Sequence, residues 1–408
     1  MIRINNKEQC CGCAACMNIC PRSAISMNID EEGFLYPEVL LEQCSHCGLC
    51  ENVCPMLEKA HRGIGGSVHL GIQYKDQIKR MESTAGGGFS LIADAILNQN
   101  GIVYAVDYDN MIVVHKAAYQ STELQGMRGS KYVQSKVGEI YSEIRLLLKE
   151  NKIVLFVGTP CQVQGLIKCV GNVENLYTMD LLCLGVSSPK LFEKWVQWLT
   201  KKHGNAVSRI YFRNKKFGYA TTNVRVVFEN GKILEQKYDS KCYPNTFFKA
   251  YNVRPSCYKC EFRECPRVSD FTVGDFVQIG DYSKNMDDDK GTTSLWIHSE
   301  KGRALYESLS CNAEAVVIEK NCTNIIGGPS VQMKKPQNRK DFFDDAENLD
   351  FEVFINKWVP KNIKSEFASI VRIVVNKIPF KTVLFKMIRT YKGRKFHKQV
   401  EEANKNGE

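Results

Sequence analysis

Residues 10–21 read CCGCAACMNICP, which places five cysteines within eleven positions and ends with a proline. Residues 44–55, CSHCGLCENVCP, repeat the pattern C-x-x-C-x-x-C-x-x-x-C-P. This is the ligand spacing of bacterial two-cluster ferredoxins, in which three neighbouring thiolates hold one iron–sulfur cluster and the fourth cysteine binds the partner cluster. The two runs therefore predict a small module with two 4Fe-4S clusters.

The spacing also assigns each cysteine to a cluster. One cluster takes Cys10, Cys13, Cys16 and Cys54, and the other takes Cys44, Cys47, Cys50 and Cys20. Cys11 is left over and is interpreted as a bystander. Zinc is the alternative, but a zinc site usually takes its four ligands as two separated pairs, which fits these runs poorly. Between the runs, a short hairpin with its turn near Glu32-Gly33 is predicted.

Composition narrows the class of protein. The 408 residues are 44% hydrophobic and 25% charged, which is typical of a globular chain with two or three domains. We find no secretory signal and no apolar run of membrane-spanning length, so we expect a cytoplasmic protein whose clustered thiols serve metal or redox chemistry. Residues 357–398 carry twelve Lys or Arg against one acid, Glu366. The rest of the chain is close to neutral, and no nucleic-acid partner is expected.

The middle of the chain alternates between strand-like and helical patterns, which predicts an α/β or mixed α+β body over residues 70–320. Helices are predicted after STAGGGFS, over residues 138–150, after GTPCQ and from Pro189 to Gly204. Strands are predicted over residues 101–119, 152–157, 177–185, 208–214, 224–238 and 270–276.

Two short loops of the body have sequences that suit ligand binding. STAGGG, residues 83–88, would present backbone N–H groups to a phosphate, although a structural turn explains it as well. GTPCQ, residues 158–162, lies between a buried strand and a helix, where ligands of open sheets bind. Its Cys161 is either a reactive thiol or a packing residue in a capped turn.

A third group of cysteines follows in RPSCYKCEFRECP, residues 254–266. Cys257 and Cys260 form a C-x-x-C pair, which suits a zinc knuckle, a redox dithiol or half of an iron–sulfur site. Such a pair needs partners, and Cys161 and Cys183 are available because both follow predicted strands. We favour a third metal site.

The segments STAGGGFS, GSKYVQS, LFVGTPCQVQGL, DLLCLGVSSP, YFRNKKFGY, RPSCYKC and RVSDFTVGDF together resemble the beta-subunit family of coenzyme F420-reducing hydrogenases and dehydrogenases over residues 71–322. With its N-terminal module, the chain resembles the input subunit of F420H2 dehydrogenases and bacterial relatives associated with polysaccharide biosynthesis. The resemblance implies FAD in the body, a third 4Fe-4S cluster and coenzyme F420 as a candidate substrate.

The resemblance also implies site residues. The third cluster would be held by Cys161, Cys183, Cys257 and Cys260, with Cys265 as the rival for the fourth place. The flavin would be lined by Ser83, Thr84, Gly86, Gly87, Lys131, Tyr132, Gly158, Thr159 and Gln162. Lys131 would counter negative charge on the flavin, or it is a solvated surface lysine. No catalytic acid or base is assigned.

Two departures from the family pattern leave the hydride partner open. The family usually has histidine where this chain has Leu184, and tryptophan where it has Val277. Because an imidazole and an aromatic ring are lost near the cofactors, a hydride donor or acceptor other than the deazaflavin is an open alternative to coenzyme F420.

The predicted fold class is α+β. We expect a two-cluster ferredoxin domain over residues 1–59, a linker over 60–70, a flavin-binding body over 71–322 whose two parts meet near 150–175, and a helical, basic, amphipathic extension over 323–408. The extension either packs on the body, lies on an anionic membrane surface or binds a partner.

The predicted function is an iron–sulfur flavoprotein oxidoreductase that couples two-electron hydride chemistry at FAD to one-electron transfer through 4Fe-4S clusters. Its partner would be a redox protein or a small-molecule substrate. The alternative is a non-catalytic, ferredoxin-type electron-transfer subunit of a larger complex.

Overall fold

The computed structural model describes residues 1–60, 67–221, 223–264, 267–318 and 332–361. The N-terminal domain is built on an antiparallel hairpin, in which Ile29 pairs with Leu35 and Gly33 adopts a φ of +88° at the turn. This is the predicted hairpin. The elements of the domain are the 3-10 helix Lys7–Gln9, helix Ala15–Ile19 (α1), strands Ile25–Ile29 (β1) and Leu35–Val39 (β2), the 3-10 helix Leu41–Gln43 and helix Leu49–Asn52 (α2).

The two cysteine loops share a backbone path beyond their cysteine spacing. In the first loop, Gly12 and Ala14 have φ values of +71° and +64°. In the second loop, the equivalent residues His46 and Gly48 have φ values of +52° and +76°. Each loop therefore has two residues in the left-handed backbone conformation, followed by a short helix that carries the third cysteine of its run. His46 is exposed and occupies a turn position.

The body contains an eight-stranded mixed sheet and a three-stranded antiparallel sheet. Its strands are Val68–Tyr74 (β3), Ile102–Asp109 (β4), Ile112–Ala118 (β5), Val154–Gly158 (β6), Leu176–Leu181 (β7), Val207–Tyr211 (β8), Arg225–Phe228 (β9), Ile233–Glu235 (β10), Phe271–Asp275 (β11), Thr293–Ile297 (β12) and Ala313–Val317 (β13). Its helices are Gln77–Glu82 (α3), Gly88–Asn98 (α4), Leu124–Met127 (α5), Ile140–Lys149 (α6), Pro160–Val170 (α7), Pro189–His203 (α8), Tyr238–Phe248 (α9), Glu300–Leu309 (α10), Arg339–Asn348 (α11) and Phe351–Trp358 (α12), with 3-10 helices Pro255–Lys259, Ile279–Asp281 and Ser310–Asn312.

The large sheet has the order β13-β3-β12-β11-β7-β6-β4-β5. Strands β4, β6, β7 and β11 run parallel to one another, and the outer strands on both sides pair antiparallel. The carboxyl ends of β6 and β7 therefore lie side by side at one edge. The loops that follow them begin with Thr159 and Leu182, which brings the GTPCQ loop next to the segment that contains Cys183.

Both faces of the large sheet are covered, so the central strand β6 is buried and apolar at every position. On one face, Leu155 and Val157 pack against helix α4. On the other face, Val154 and Phe156 pack in a cluster that includes residues of α6 and α7 and, from the N-terminal domain, Cys13, Ala14 and Ala15. The ferredoxin-like domain is thus seated on the α7 side of the body sheet.

A second core lies beyond strand β5. The three-stranded sheet, in the order β10-β9-β8, packs with helices α8 and α9 around the buried rings of Trp195 and Tyr243, which are stacked 5.0 Å apart. Helices α11 and α12 close this core with Phe342 and Phe354. This mixed α/β architecture with a ferredoxin-like N-terminal domain agrees with the predicted fold class.

Part of the predicted extension is described. Residues 332–361 hold helices α11 and α12, whereas most of the basic stretch, residues 362–408, lies outside the described residues. Within the described ranges, no helix combines the length and apolar character needed to cross a bilayer.

Candidate functional site

The first group of predicted ligands forms the outer site, a cavity of about 350 Å³ lined by Cys20, Cys44, Cys47 and Cys50. Cys50 is buried and Cys47 is exposed. Two backbone N–H groups point at sulfur here, from Ile2 to Cys50 Sγ (3.2 Å) and from Ala24 to Cys20 Sγ (3.3 Å). Donors to sulfur are one of the means by which proteins tune iron–sulfur clusters. The structure thus brings together the four residues that the spacing assigned to one cluster.

The second group forms the middle site, a cavity of about 320 Å³ lined by Cys10, Cys13, Cys16 and Cys54. The N–H of Gly12 points at Cys10 Sγ at 3.4 Å. Between the outer and middle sites, Cys16 and Cys50 pack into one apolar cluster with Ile2 and Ile25. The two sites therefore adjoin across a dry contact.

The third group forms the body site, a cavity of about 480 Å³ that is partly open to solvent. Cys161 lies on the first turn of α7, Cys183 follows β7, Cys257 lies on the 3-10 helix Pro255–Lys259 and Cys260 caps that helix. All four thiols line the cavity. The rival ligand Cys265 lies outside the described residues, so the choice for the fourth place stays a prediction.

The local sequence explains why Cys161 faces the body site. Thr159 and Gln162 form a capping box at the start of α7, and Pro160 occupies its first turn. The cap holds the Thr159 hydroxyl oxygen 3.2 Å from Cys161 Sγ. The Gln162 side chain is fixed by donation to the Ser135 hydroxyl at 3.0 Å. A helix start at the end of a parallel strand therefore delivers the thiol to the sheet edge.

Burial dominates the acid–base chemistry of the inner thiols. Burial, with a smaller contribution from the neighbouring Cys161 thiol, raises the pKa of Cys257 to about 12. Burial likewise raises the pKa values of Cys16 and Cys183, with contributions from nearby thiols. At the outer site, by contrast, the Leu49 N–H and the Ser45 hydroxyl lower the pKa of Cys47. Inner thiols of this kind ionise when a cation binds them and releases their protons.

The donor sets fit iron–sulfur clusters. The four predicted ligands of each cluster line one cavity, Cys11 is a fifth cysteine in two of the cavities, and among the described residues no carboxylate lines any of the three. Thiolates are the ligands that hold 4Fe-4S clusters. For a single metal ion, by contrast, no group of three or more His, Cys, Asp or Glu side chains in the same ranges is suitably arranged, which disfavours a mononuclear zinc site.

Cys11, interpreted from the sequence as a bystander, lies between two of the sites. It lines both the middle cavity and the body cavity. Its thiol interacts with those of Cys13 and Cys161, and Cys13 raises the pKa of Cys11 well above its usual range. On the opposite helix, a Cβ at Gly165 would lie only 3.0 Å from Cys13 Sγ, so glycine permits this close packing. The body, middle and outer sites thus follow one another in a row.

The residues predicted to line a flavin do not share one surface. Ser83 is buried and donates to the carbonyl of Lys79 (2.7 Å), while the Thr84 hydroxyl accepts from the Ser130 N–H (2.9 Å). At Gly86, a Cβ would lie 2.2 Å from the Ile72 carbonyl oxygen, and Gly87 has a φ of +90° at the start of α4. These two glycines allow helix α4 to pack closely on β3.

The other predicted flavin residues lie near the cysteines or near a basic cavity. Thr159 and Gln162 line the body site, and Gly158 packs beside Phe156. The Tyr132 ring contacts several phenylalanine rings, with centroids 5.3 Å apart in the case of Phe247. Lys131 instead lines the basic cavity described next.

The basic cavity has a volume of about 360 Å³. Its cationic lining residues are Arg128, Lys131, Arg209 and Arg213. Three of them have carboxylate partners: Glu82 for Arg128, Asp107 for Arg209 and Asp275 for Arg213. The Lys131 ammonium donates to the carbonyl of Gly126 (2.7 Å), and burial lowers its pKa to about 7.

One short segment joins the basic cavity to the body site. Lys131 lines the first cavity and Gln134, three residues later, lines the second. Sequence reasoning identified Lys131 but not Arg209 or Arg213, because strand β8, which carries Arg209, and the turn after it, which carries Arg213, are brought here only by the tertiary fold. The YFRNKKFGY segment was the available signal, since it supplies Arg213.

Comparisons with known proteins agree with the predicted ferredoxin-like domain at the N-terminal end. Residues 9–57 match the model of the 4Fe-4S dicluster domain. Residues 151–321 match the model of the C-terminal part of the coenzyme F420 hydrogenase/dehydrogenase beta subunit, so STAGGGFS and GSKYVQS precede the matched segment. No curated protein matches the chain.

Among solved structures, a chain of the F420-reducing NiFe hydrogenase complex from Methanosarcina barkeri is similar, with 15% identity and a TM-score of 0.44. The similarity covers 69% of this chain and 89% of that chain. Through residues 151–321 and 9–57, the chain is thus an iron–sulfur, oxidoreductase-type subunit related to the coenzyme F420 hydrogenase/dehydrogenase beta subunits, with a 4Fe-4S dicluster domain at its N-terminal end.

Proposed function

We propose that the chain is a flavin-dependent iron–sulfur oxidoreductase that connects two-electron chemistry in its body with one-electron transfer at its N-terminal domain. The observation that carries the proposal is the position of Cys11, which lines both the middle and the body cavities. A thiol-lined site in the body therefore adjoins a thiol-lined site of the ferredoxin-like domain, as electron transfer between clusters requires.

The cofactors implied are FAD and three 4Fe-4S clusters. When bound, a flavin takes up a hydride as two electrons and can release them singly, whereas 4Fe-4S clusters carry one electron at a time. The chain's own residues supply the binding charges. Arg128, Lys131, Arg209 and Arg213 would hold the anionic part of FAD in the basic cavity, with Arg guanidinium groups suited to pyrophosphate oxygens.

Exclusion of water supports the same assignment. Tyr108 and Phe212 line the basic cavity together with the four cations, so a bound ring system would contact apolar surface while its charged part meets the arginines. The segment from Lys131 to Gln134 then leads to the body site. Because Val133 and Gln134 of this segment are buried, it would connect a flavin in the basic cavity to the body site through the protein interior.

We propose a diffusible hydride carrier as the two-electron partner, with coenzyme F420 and a nicotinamide as the two candidates. Leu184, which replaces the family's usual histidine, lines the body site. It packs with Val253 and Tyr258 and is therefore an apolar wall rather than a proton donor. A role in polysaccharide biosynthesis, suggested by the resemblance to bacterial relatives, remains part of the proposal.

The one-electron partner is proposed to be a redox protein that docks at the outer site. Cys47 is exposed there, whereas Cys10, Cys13 and Cys16 of the middle site are buried. Electron exchange with a protein requires a cluster near the surface, which the outer site provides. The membrane and partner hypotheses for the basic extension concern residues outside the described ranges and are tested by liposome co-sedimentation with and without residues 362–408.

Cofactor content tests the proposal directly. The protein is purified without oxygen, and bound iron, sulfide and flavin are measured per chain. We expect about twelve iron atoms, as for three 4Fe-4S clusters, together with bound FAD. About eight iron atoms and no flavin would refute the body chemistry.

The second candidate is an electron-transfer subunit without a flavin. The observation in its favour is that the space beside Gly86 and Gly87 is occupied by other residues of the chain, so these glycines leave no open surface for a flavin phosphate. Mixing the anaerobic protein with reduced F420 or with a reduced nicotinamide separates the two candidates. Bleaching of a bound flavin supports the oxidoreductase, whereas no bleaching with either donor supports the electron-transfer subunit.

A further inference from the structure

Arg254 is a fully buried cation at the boundary between the N-terminal domain and the body, with 0% of its surface exposed. Its Nε donates to the carbonyl of Cys10 (2.8 Å), and its Nη1 donates to Oε1 of Gln134 (3.2 Å). The guanidinium carbon lies 4.1 Å from the centroid of the Tyr36 ring. The remaining nitrogen, Nη2, is buried without a hydrogen-bond partner.

Arg254 also lacks a carboxylate partner, which separates it from most buried arginines of this chain. Four of the six buried arginines in the described residues are paired: Arg80 with Asp288, Arg128 with Glu82, Arg267 with Asp180 and Arg339 with Glu32. The two without an ion pair are Arg254 and Arg263. Arg263 lines the body site, and its Nε and Nη1 have no hydrogen-bond partner.

Arg263 therefore lies at the body site, whereas Arg254 lies between the middle and body sites, where it contacts Cys10 of the first and Gln134 of the second. A buried charge without a counter-charge is unfavourable, so proteins pair such groups or place them against a metal centre. The groups that offset the burial of Arg254 are Cys10, Tyr36, Cys11 and Cys257, whose interactions raise its pKa against the effect of burial. For Arg263 they are Cys260, Cys183 and Cys257. All but one of these groups are thiols.

We propose that Arg254 and Arg263 are the counter-ions of the clustered thiolates, and that they raise the reduction potentials of the middle and body sites relative to the outer site. Arg254 acts on both inner sites and Arg263 acts on the body site alone. The inference rests on the proposed function, because it takes the three cysteine groups as cluster ligands.

The physical reason is the charge added by each electron. A cluster held by four thiolates is anionic, and reduction makes it more negative by one charge. A fixed guanidinium in a dry environment stabilises the reduced form more than the oxidised form. The lining of the outer site contains no arginine or lysine among the described residues, and the Met1 ammonium, whose residue lines the site, is paired with Glu51.

Reduction potentials measured by EPR-monitored redox titration test the inference on the anaerobically purified, cluster-loaded protein. R254Q should lower the equilibrium constant for reduction of the middle and body sites by about tenfold or more, which is ~59 mV for a one-electron couple. R254K, which keeps the charge, should give a smaller change. The exposed Arg3 provides the control, since R3Q should leave all three potentials unchanged.

Two further variants give independent evidence. R263Q should lower the potential of the body site and leave the middle site unchanged. Q134E replaces the amide that accepts a hydrogen bond from Arg254 with a carboxylate of nearly the same shape. It should therefore shift the reduction potentials of the same two sites in the same direction as R254Q. If R254Q fails to keep its iron, the reduction potentials of Q134E test the inference in its place. Unchanged potentials in Q134E would then overturn the inference.

The outcomes distinguish this inference from the proposed function. About eight iron atoms per wild-type chain would refute the body site and the proposed function with it. A full iron content with unchanged potentials in R254Q would refute the counter-ion role alone. Equal shifts in R254K and R254Q would also refute it, because they would indicate a packing effect rather than a charge effect.

Discussion

Replacement of Glu32 by glutamine should destabilise the contact between the ferredoxin-like domain and helix α11. Arg339 donates from Nη1 and Nη2 to the two carboxylate oxygens of Glu32, both at 2.6 Å. It also donates to the carbonyl of Val253 (2.8 Å) and from Nε to the Tyr258 hydroxyl (3.1 Å). The side chains of the pair are 6% and 15% exposed, so little solvent screens them.

The expected loss in the free energy of unfolding follows from the unpaired Arg339 cation that E32Q leaves buried. Breaking a buried ion pair on one side costs about 3–5 kcal/mol, because the other charge stays buried and uncompensated. Arg339 keeps two of its four acceptors and the amide still accepts one bond, so we expect the lower end, ~3 kcal/mol. The adjacent Glu31 is the matched control. It pairs with Lys7 but is 76% exposed, so E31Q should cost no more than ~1 kcal/mol.

The assay is urea unfolding followed by tryptophan fluorescence under anaerobic conditions. Trp195, Trp198 and Trp358 all lie in the core that α11 and α12 close, so they report on this contact. The double variant E32Q/R339M should recover most of the loss, because removing both charges relieves the unpaired cation. Equal losses in E31Q and E32Q, or a loss below ~1 kcal/mol in E32Q, would refute the reasoning.

Three other predictions concern the cofactors and pH. C257S should reduce bound iron from about twelve to about eight atoms per chain, measured by colorimetric iron analysis, and unchanged iron would exclude Cys257 as a ligand. K131M should weaken FAD binding about tenfold, measured by fluorescence titration, whereas K136M, at an exposed lysine, should leave it unchanged. Because burial lowers the pKa of Lys131 to about 7, FAD binding to the wild-type protein should weaken as the pH rises above that value. Burial lowers the pKa of His115 to about 4 in the folded chain. In the unfolded chain this histidine binds a proton below pH ~6.5, whereas in the folded chain it binds one only below about pH 4. The His115 contribution to the free energy of unfolding should therefore fall by up to ~3 kcal/mol over that interval. Burial also lowers the pKa of His69 to about 4, so H115Q should remove only the His115 part of the pH dependence, and the exposed H46Q should leave that part in place.

Local spacing made the ferredoxin-like domain predictable. The grouping of Cys20 with the second run and Cys54 with the first follows from a repeat that needs no knowledge of distant contacts. Helices such as Pro189–His203 were equally readable, because proline at the start and Gly204 at the end mark their limits. Most body strands were found for the same reason, as apolar runs between turn residues.

Contacts between distant segments escaped sequence reasoning. Cys11 stands beside a ligand in the sequence, but nothing local indicates that its thiol meets Cys161 across the domain boundary. Arg254 appeared only as the first letter of a cysteine motif, and its burial against Cys10 depends on how the domains dock. The glycines Gly86 and Gly87 were assigned to a ligand because a glycine run cannot by itself tell a cradle from close packing.

The exposure of Cys47 has a consequence for the order in which oxygen would inactivate the protein. Oxidation of sulfur follows exposure and thiolate character. Cys47 combines an exposed side chain with a lowered pKa, whereas Cys10, Cys13 and Cys16 are buried. Oxygen damage should therefore begin at the outer end and proceed inward. A partly inactivated preparation would have lost its connection to the partner protein while its interior redox centres were still intact.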